Sequence, residues 1–145
     1  MTGQVEGYIL IVDDQQNWRE ALSSLLQGQH MVQAAGSFQE AKQAITEFTF
    51  DVAVLDVRLI DKDTFNVEGL GLLRIIKERS PGTGVVILTG YPDSVRKEIL
   101  EEHDADAFFF KVPPGDTFDS AGFRALIQEL VTKYKDMKDD GAKSN

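Results

Sequence analysis

The sequence predicts a doubly wound α/β domain in which helices cover both faces of a five-stranded parallel sheet. Short apolar, β-branched runs alternate five times along the chain with stretches of helical spacing. The two central runs, at 52–55 and 85–88, are apolar without alternation, as expected for parallel strands that are buried on both faces. Strand–helix crossovers of this length favour the doubly wound arrangement.

Boundary signals support the predicted elements in chain order. Gly28 can end the first helix in the left-handed conformation, and Ser37 can cap the second. A Ser-Pro-Gly stretch at 80–82 stops the third helix, Pro92 suits the first turn of the fourth, and Asp104 tolerates left-handed angles in the turn after it. The predicted strands are 8–13, 31–35, 51–56, 84–89 and 107–111, and the predicted helices are 15–27, 38–47, 67–78, 92–102 and 120–138.

Length and composition indicate a single soluble domain. With 145 residues, of which 42% are hydrophobic, the chain can bury one sizeable core. We expect the domain to span 1–135, and the polar segment 136–145 to be disordered or to mark where the chain is cut from a longer protein. No apolar run approaches the roughly 18 residues of a membrane span. Since the chain also lacks cysteine, we expect a cytoplasmic protein without disulfides or membrane contact.

The charge of the chain argues against nucleic acid as a direct partner. The formal net charge is -9 at pH 7, and the lysines and arginines are scattered rather than clustered on one helix face. Binding of a phosphate backbone by this chain alone is therefore not expected. We interpret the acidic surface as one that keeps the protein in solution.

Three aspartates lie where two of the predicted strands end. Asp13 and Asp14 follow the apolar run 9–12, and Asp56 follows the run 52–55. Ligands of doubly wound sheets bind at the carboxyl ends of the strands, where these acids would converge. Their mutual repulsion is costly unless a cation lies between them, so the sequence predicts a metal site at this edge. Taken singly, an acid such as Asp14 could instead cap a helix.

Polar or charged residues stand at the ends of four of the predicted strands. An acidic pair follows the first strand in Ile-Val-Asp-Asp, an aspartate ends the third in Val-Leu-Asp-Val-Arg, a threonine ends the fourth in Ile-Leu-Thr-Gly, and a lysine ends the fifth in Phe-Phe-Phe-Lys. These are Asp13, Asp14, Asp56, Thr89 and Lys111. Their joint occurrence in this order resembles the receiver domain of two-component response regulators, over roughly residues 8–134. The resemblance implies the flavodoxin-like strand order 2-1-3-4-5.

The resemblance implies a site for phosphoryl transfer. Asp56 would be the nucleophile that takes a phosphoryl group from a phosphohistidine to give an acyl phosphate. Mg²⁺ would be held by Asp13 or Asp14, by Asp56 and by the backbone carbonyl of Arg58. Lys111 would place its positive charge beside one phosphoryl oxygen.

The resemblance also implies a switch near this site. Thr89 would donate its hydroxyl to the phosphoryl group, and Phe108 would change rotamer as the threonine moves. The surface made by the predicted fourth helix, fifth strand and fifth helix would change as a result. Phe108 lies in a run of three phenylalanines, so a packing role is an equal alternative. Trp18, the only tryptophan, is expected to be partly buried in the first helix.

The segment after the phosphoacceptor and the segment after the lysine depart from the family pattern. Residues 57–68 form a longer stretch than the usual loop and lack its Met-Pro pair, so the family's loop conformation does not carry over. Val112 separates the lysine from Pro113, whereas in the family a proline follows the lysine directly through a cis bond. A cis bond at 112–113 is left open by the sequence, since only the X–Pro bond makes that form inexpensive.

Competing functions fit the residues less well. A hydrolase of the haloacid dehalogenase type also forms an aspartyl phosphate, but it needs a second acid at the position of Arg58. Dinucleotide binding fails because the Gly-Leu-Gly at 69–71 lacks a third glycine and does not directly follow a strand. A receiver-like interaction module that is never phosphorylated stays an alternative. The leading prediction is a signalling switch whose only catalysis is its own phosphorylation and dephosphorylation.

The predicted phosphoryl donor is a sensor histidine kinase or a phosphotransfer protein. The predicted output is a contact with a downstream protein target or with a fused output domain. The sequence leaves open whether the chain is a stand-alone regulator, and whether it forms a homodimer on activation through the predicted fourth or fifth helix.

Overall fold

A computed structural model describes residues 6–56, 67–89, 105–111 and 117–143, with the backbone alone at 67–70, 89, 110 and 138–143. The helix predicted at 92–102 lies outside these residues. So do Arg58, the predicted turn at Asp104 and the peptide bond at 112–113.

A parallel five-stranded sheet forms the centre of the molecule, with its strands in the order β2-β1-β3-β4-β5. This confirms the predicted fold class and strand order. The register pairs Val12 with Leu55 and Asp56 with Leu88, so that the carboxyl ends of β1, β3 and β4 meet at one edge. The strands are β1 (Tyr8–Val12), β2 (Met31–Ala35), β3 (Val52–Asp56), β4 (Gly84–Thr89) and β5 (Ala107–Phe110).

The helices begin and end close to their predicted bounds. Ser37 caps the second helix as predicted, because its hydroxyl accepts a hydrogen bond from the Glu40 N–H at 3.1 Å. The Glu40 carboxylate in turn accepts from the Gly36 N–H at 2.7 Å, which closes the entry to that helix. The described helices are α1 (Gln16–Leu26), α2 (Phe38–Glu47), α3 (Val67–Arg79) and the C-terminal helix (Ser120–Lys143).

The end of α1 differs from the prediction. Gly28 does not adopt the left-handed conformation, and the C-cap residue Gln27 is right-handed, with φ -62° and ψ -25°. The Leu26 carbonyl accepts hydrogen bonds from the N–H groups of Gln29 and His30, at 3.0 and 2.9 Å. A further turn therefore satisfies the helix end, and no left-handed residue is needed.

The C-terminal helix is longer than predicted. It runs to Lys143, whereas the predicted helix ends at 138. Its first turns are anchored in the core by buried residues such as Phe123 and Ile127. Once a helix is nucleated in this way, each added residue gains a hydrogen bond at little cost, so a polar segment can continue it.

Helices cover both faces of the sheet, and the strand residues alternate between them. On one face α2 and α3 pack against Leu10, Ala53, Leu55, Val85 and Ile87. On the other face α1 and the C-terminal helix pack against Ile9, Ile11, Val52, Val54, Val86 and Leu88. Since both faces are buried, polar residues on β1, β3 and β4 are confined to the strand ends. Among the described helices, none has the length and hydropathy to span a membrane.

Two aspartates fasten the amino edge of the sheet. Asp51, just before β3, accepts a hydrogen bond from the Tyr8 N–H at 2.9 Å, and Lys135 Nζ lies 3.4 Å from the same oxygen. Asp106, just before β5, accepts from the Val85 N–H at 2.7 Å and from the Tyr134 hydroxyl at 2.6 Å. These carboxylates tie neighbouring strands and the C-terminal helix together, away from the carboxyl edge.

Candidate functional site

The carboxyl edge of the sheet brings the three predicted acids together. Asp13 follows β1, Asp14 comes next, and Asp56 ends β3, beside β1 in the sheet. One carboxylate oxygen of each lies within 4.8 Å of the others. Asp13 is 1% exposed, whereas Asp14 is exposed to solvent. A cluster of this kind, partly shielded from water, is electrostatically costly without a counter-charge.

Lys111 supplies positive charge to this cluster. It follows β5, and its ammonium nitrogen lies 3.0 Å from Asp13 Oδ2 and 3.3 Å from Asp56 Oδ1. The lysine side chain is 11% exposed, so solvent screens these ion pairs only partly. A single ammonium group faces carboxylates from two different strands, and it cannot neutralise all three acids.

Backbone contacts hold Asp13 in its position. Its N–H donates to the Ala35 carbonyl at 3.1 Å, which fixes it beside β2. Its Oδ1 accepts from the Gln15 N–H at 2.9 Å and so orients the carboxylate at the start of α1. The N-cap residue of α1 is Gln15, so the alternative in which Asp14 caps this helix is wrong. The Asp13 carboxylate contacts the N–H of this N-cap residue and not an N–H of the first helical turn.

Arg19 is a supporting residue that the sequence did not reveal. From the first turn of α1, its Nη1 donates to the Asp13 carbonyl at 2.8 Å. Gly36 makes room for this guanidinium, because a Cβ at that position would lie 2.8 Å from Arg19 Nη1. In a single sequence nothing distinguishes such an arginine from a solvated one.

The environment of Asp56 raises its pKa from 3.8 to about 6. Burial is the largest cause, because it disfavours the charged form, and the negative charges of Asp13 and Asp14 act in the same direction. The positive charge of Lys111 and its contact with the carboxylate act in the opposite direction and lower the pKa. Asp56 is therefore ionised at neutral pH, at a cost to folding.

We expect this cost to appear as a pH dependence of stability. The folded pKa of about 6 lies above the ordinary value of 3.8, so between these values the folded chain binds the Asp56 proton more tightly than the unfolded chain does. The contribution of Asp56 to the free energy of unfolding should therefore fall as the pH rises through this window and stay low above it. Urea unfolding without metal should show a flatter pH profile for Asp56→Asn than for the wild type. Equal pH profiles of the two proteins would contradict the raised pKa of Asp56.

The structure describes three of the four other residues that the sequence singled out, Thr89, Phe108 and Trp18. Thr89 ends β4, one step beyond the Leu88 that pairs with Asp56, so its backbone lies at the same edge. Phe108 is partly buried and packs against the core on the α2 and α3 face. Trp18 is partly buried in α1, as predicted. Arg58 lies outside the described residues.

The acidic cluster fits a hard divalent cation. All three side chains offer carboxylate oxygens, which are the ligands preferred by Mg²⁺. Asp13 Oδ2 is buried and, among the described residues, accepts no hydrogen bond, its neighbour being the Lys111 ammonium. A second positive charge beside this oxygen would relieve the excess of negative charge.

The fold and this edge together define a class of α/β signalling domains that carry an acidic pocket opposite a lysine. The chain belongs to the response regulator receiver domain family of two-component systems, whose family model matches residues 9–118. This confirms the family predicted from the strand-end residues. Receiver domains bind Mg²⁺ in an acidic pocket, and Asp13, Asp14 and Asp56 form such a group here.

Curated relatives are longer regulators that contain a similar segment. The chain is 29% identical over 134 residues to the DNA-binding transcriptional regulator NtrC of Proteus hauseri, covering 92% of this chain and 26% of that protein. It is 32% identical over 108 residues to the response regulator protein PilR of Pseudomonas aeruginosa, covering 74% of this chain and 23% of that protein. The chain thus spans about a quarter of the length of these relatives.

Solved structures confirm the fold. A CheY-like receiver domain protein from Methanospirillum hungatei superimposes with a TM-score of 0.75 at 22% identity, covering 92% of this chain and 99% of that chain. NtrX from Brucella abortus, crystallised with ADP, gives a TM-score of 0.77 at 22% identity, covering 95% of this chain and 29% of that chain. DrrB, a response regulator of Thermotoga maritima, gives 0.70 at 28% identity, covering 89% and 54% of the two chains.

Proposed function

We propose that this receiver domain accepts a phosphoryl group on Asp56 and thereby acts as a phosphorylation-dependent switch. The main support is the position of the Asp56 carboxylate, which lies within 4.8 Å of two further acids and 3.3 Å from the Lys111 ammonium. An unpaired acid in this position would only destabilise the fold. A carboxylate that must approach phosphorus benefits from a nearby cation that offsets the charge of the incoming group.

The proposed reaction is a transfer from nitrogen to oxygen. An Asp56 carboxylate oxygen forms a bond to the phosphorus of a phosphohistidine while the phosphorus–nitrogen bond breaks. The departing imidazole nitrogen keeps the bonding electron pair and is protonated from solvent. Asp56 has a pKa of about 6 and is mostly ionised at neutral pH, as a nucleophile must be. The product is an acyl phosphate whose added charge lies beside Lys111.

Mg²⁺ is the proposed cofactor. Asp13, Asp14 and Asp56 would hold the ion, together with the backbone carbonyl of Arg58. When bound, Mg²⁺ supplies positive charge that offsets the charge of the phosphoryl oxygens. Lys111 contributes a second positive charge on the side of β5, and Arg19 keeps the Asp13 backbone in place.

The proposed partners follow from membership of the family. A sensor histidine kinase or a phosphotransfer protein in the cytoplasm would donate the phosphoryl group, and the chain would have no enzymatic turnover beyond its own phosphorylation and dephosphorylation. Thr89 and Phe108 would relay the change to a downstream protein, to a fused output domain or to a second copy of the chain. One relative is named a DNA-binding regulator, but a net charge of -9 makes direct DNA binding by this chain itself unfavourable.

Incubation with a small phosphoryl donor tests the proposal. With acetyl phosphate and Mg²⁺, the intact protein should gain the mass of one phosphoryl group, and it should gain none when a chelator removes the metal. Unrelated phosphate esters should not be turned over. An unchanged mass under all donors would favour the interaction module that is never phosphorylated, and steady release of phosphate from esters would favour a hydrolase.

A further inference from the structure

Lys111 contacts an aromatic ring as well as the acidic cluster. Its ammonium nitrogen lies 5.0 Å from the centroid of the ring of Trp18, a residue in the first turn of α1. An ammonium group at this distance is attracted to the electron-rich face of an indole, the strongest such face among the aromatic side chains. We propose that Trp18 is a positioning residue, which holds the Lys111 ammonium at the phosphoacceptor site. The inference rests on the proposed function.

A lysine at this site needs more than its ion pairs to stay in place. The ammonium is carried on a flexible four-carbon stem, so many rotamers compete with the one that reaches the acids. Asp13 and Asp56 attract it strongly only while their charge is free. Once a cation or a phosphoryl group engages those oxygens, the ion pairs weaken. The attraction to the Trp18 ring does not depend on the carboxylates and therefore persists.

The Trp18 ring is itself held by an aromatic cluster. It meets the ring of Phe118 edge-on, with centroids 5.4 Å apart and planes at 74°. Phe118 packs against Phe109 at 5.4 Å and against the fully buried Phe123 at 5.6 Å. Phe109 lies on β5, two residues before Lys111. The indole is thus fixed relative to the strand that carries the lysine.

The same helix turn links Trp18 to the acids. The Asp13 carboxylate accepts from the Gln15 N–H, and the Gln15 carbonyl accepts from the Trp18 N–H at 3.2 Å. The ring that faces Lys111 and the carboxylate that pairs with it therefore belong to one short stretch of backbone. The ammonium thus lies 5.0 Å from the ring centroid and within 3.3 Å of an oxygen of each of Asp13 and Asp56.

Two substitutions at one position separate the ring's charge attraction from its bulk. Trp18→Phe keeps a weaker aromatic face, and Trp18→Leu keeps apolar volume without one. With acetyl phosphate and Mg²⁺, Trp18→Leu should lower the phosphorylation rate constant roughly three- to tenfold, the rate equivalent of a partly desolvated cation–π contact, and Trp18→Phe should lower it less. In a Lys111→Ala background both substitutions should leave the remaining rate unchanged.

Unfolding without metal gives a readout that does not depend on activity. Urea midpoints of the wild type, Trp18→Leu, Lys111→Ala and the double variant should be non-additive, because the two side chains interact directly. The inference would be overturned if Trp18→Leu changed the phosphorylation rate and the urea midpoint by the same amount in the wild type and in Lys111→Ala. If the wild type is not phosphorylated, the proposed function fails, and the unfolding cycle alone decides whether ring and ammonium are coupled.

Discussion

Asp56→Asn is expected to abolish phosphorylation by acetyl phosphate while leaving the domain folded and more stable than the wild type. An amide is not a nucleophile toward phosphorus under these conditions, so no acyl phosphate can form. The substitution also removes one negative charge from the acidic cluster. A tenfold change in proton affinity corresponds to about 1.4 kcal/mol, so relief of the ionised Asp56 should stabilise the fold at pH 7 by about 2 kcal/mol after solvent screening. Intact-protein mass measures the first effect, and urea unfolding without metal measures the second.

Asp51→Asn is the matched control for this substitution. Asp51 lies at the amino end of the same strand, where its carboxylate accepts from the Tyr8 N–H. The variant should still be phosphorylated, because the residue is remote from the carboxyl edge. If Asp56→Asn were phosphorylated to the wild-type level, a residue other than Asp56 would be the phosphoacceptor.

Lys111→Ala is expected to slow phosphorylation by roughly a hundredfold, the effect of losing one pre-positioned charge donor at a site of developing negative charge. Lys111 also lowers the pKa of Asp56, so its removal leaves less of the carboxylate ionised at a given pH. In the metal-free protein, the fall in stability with rising pH should therefore extend to higher pH in Lys111→Ala than in the wild type. Rate constants with acetyl phosphate and Mg²⁺ measure the first effect, and urea unfolding without metal at several pH values measures the second.

Lys135→Ala controls for the loss of a lysine that pairs with an aspartate. Lys135 Nζ lies 3.4 Å from Asp51 at the amino edge and is 36% exposed. This variant should keep the wild-type rate and the wild-type pH profile. If Lys111→Ala behaved in the same way, the ammonium at the acidic cluster would have no part in the reaction.

The fold could be predicted because the strands are marked by apolar runs in the sequence. The unbroken apolar runs in β3 and β4 are understandable only if helices cover both faces, and the alternation of strand and helix then leaves a parallel sheet. The acidic cluster followed from the same reasoning, since parallel strands bring their carboxyl ends to one edge. Asp13 and Asp56 lie together because β1 and β3 are neighbours, which the family resemblance implied.

Features that depend on packing between distant elements could not be predicted. The contact of Arg19 with the Asp13 carbonyl needs the open space at Gly36, and both residues look ordinary in the sequence. The approach of Lys111 to Trp18 joins the last strand to the first helix. The prediction for the end of α1 was wrong for a local reason. A left-handed residue and a further right-handed turn both close a helix at similar energy, and Gly28 permits either.

The hydrogen bonds of Asp51 and Asp106 at the amino edge imply that the two ends of the strands have different roles. Asp51 and Asp106 contribute to holding the strands together at the edge opposite the Asp56 carboxylate. Substitutions at that edge should therefore reduce the amount of folded protein. Substitutions beside Asp56 should instead reduce phosphorylation in a protein that stays folded. A survey of random substitutions would then sort into two phenotypes according to which end of the strands was hit.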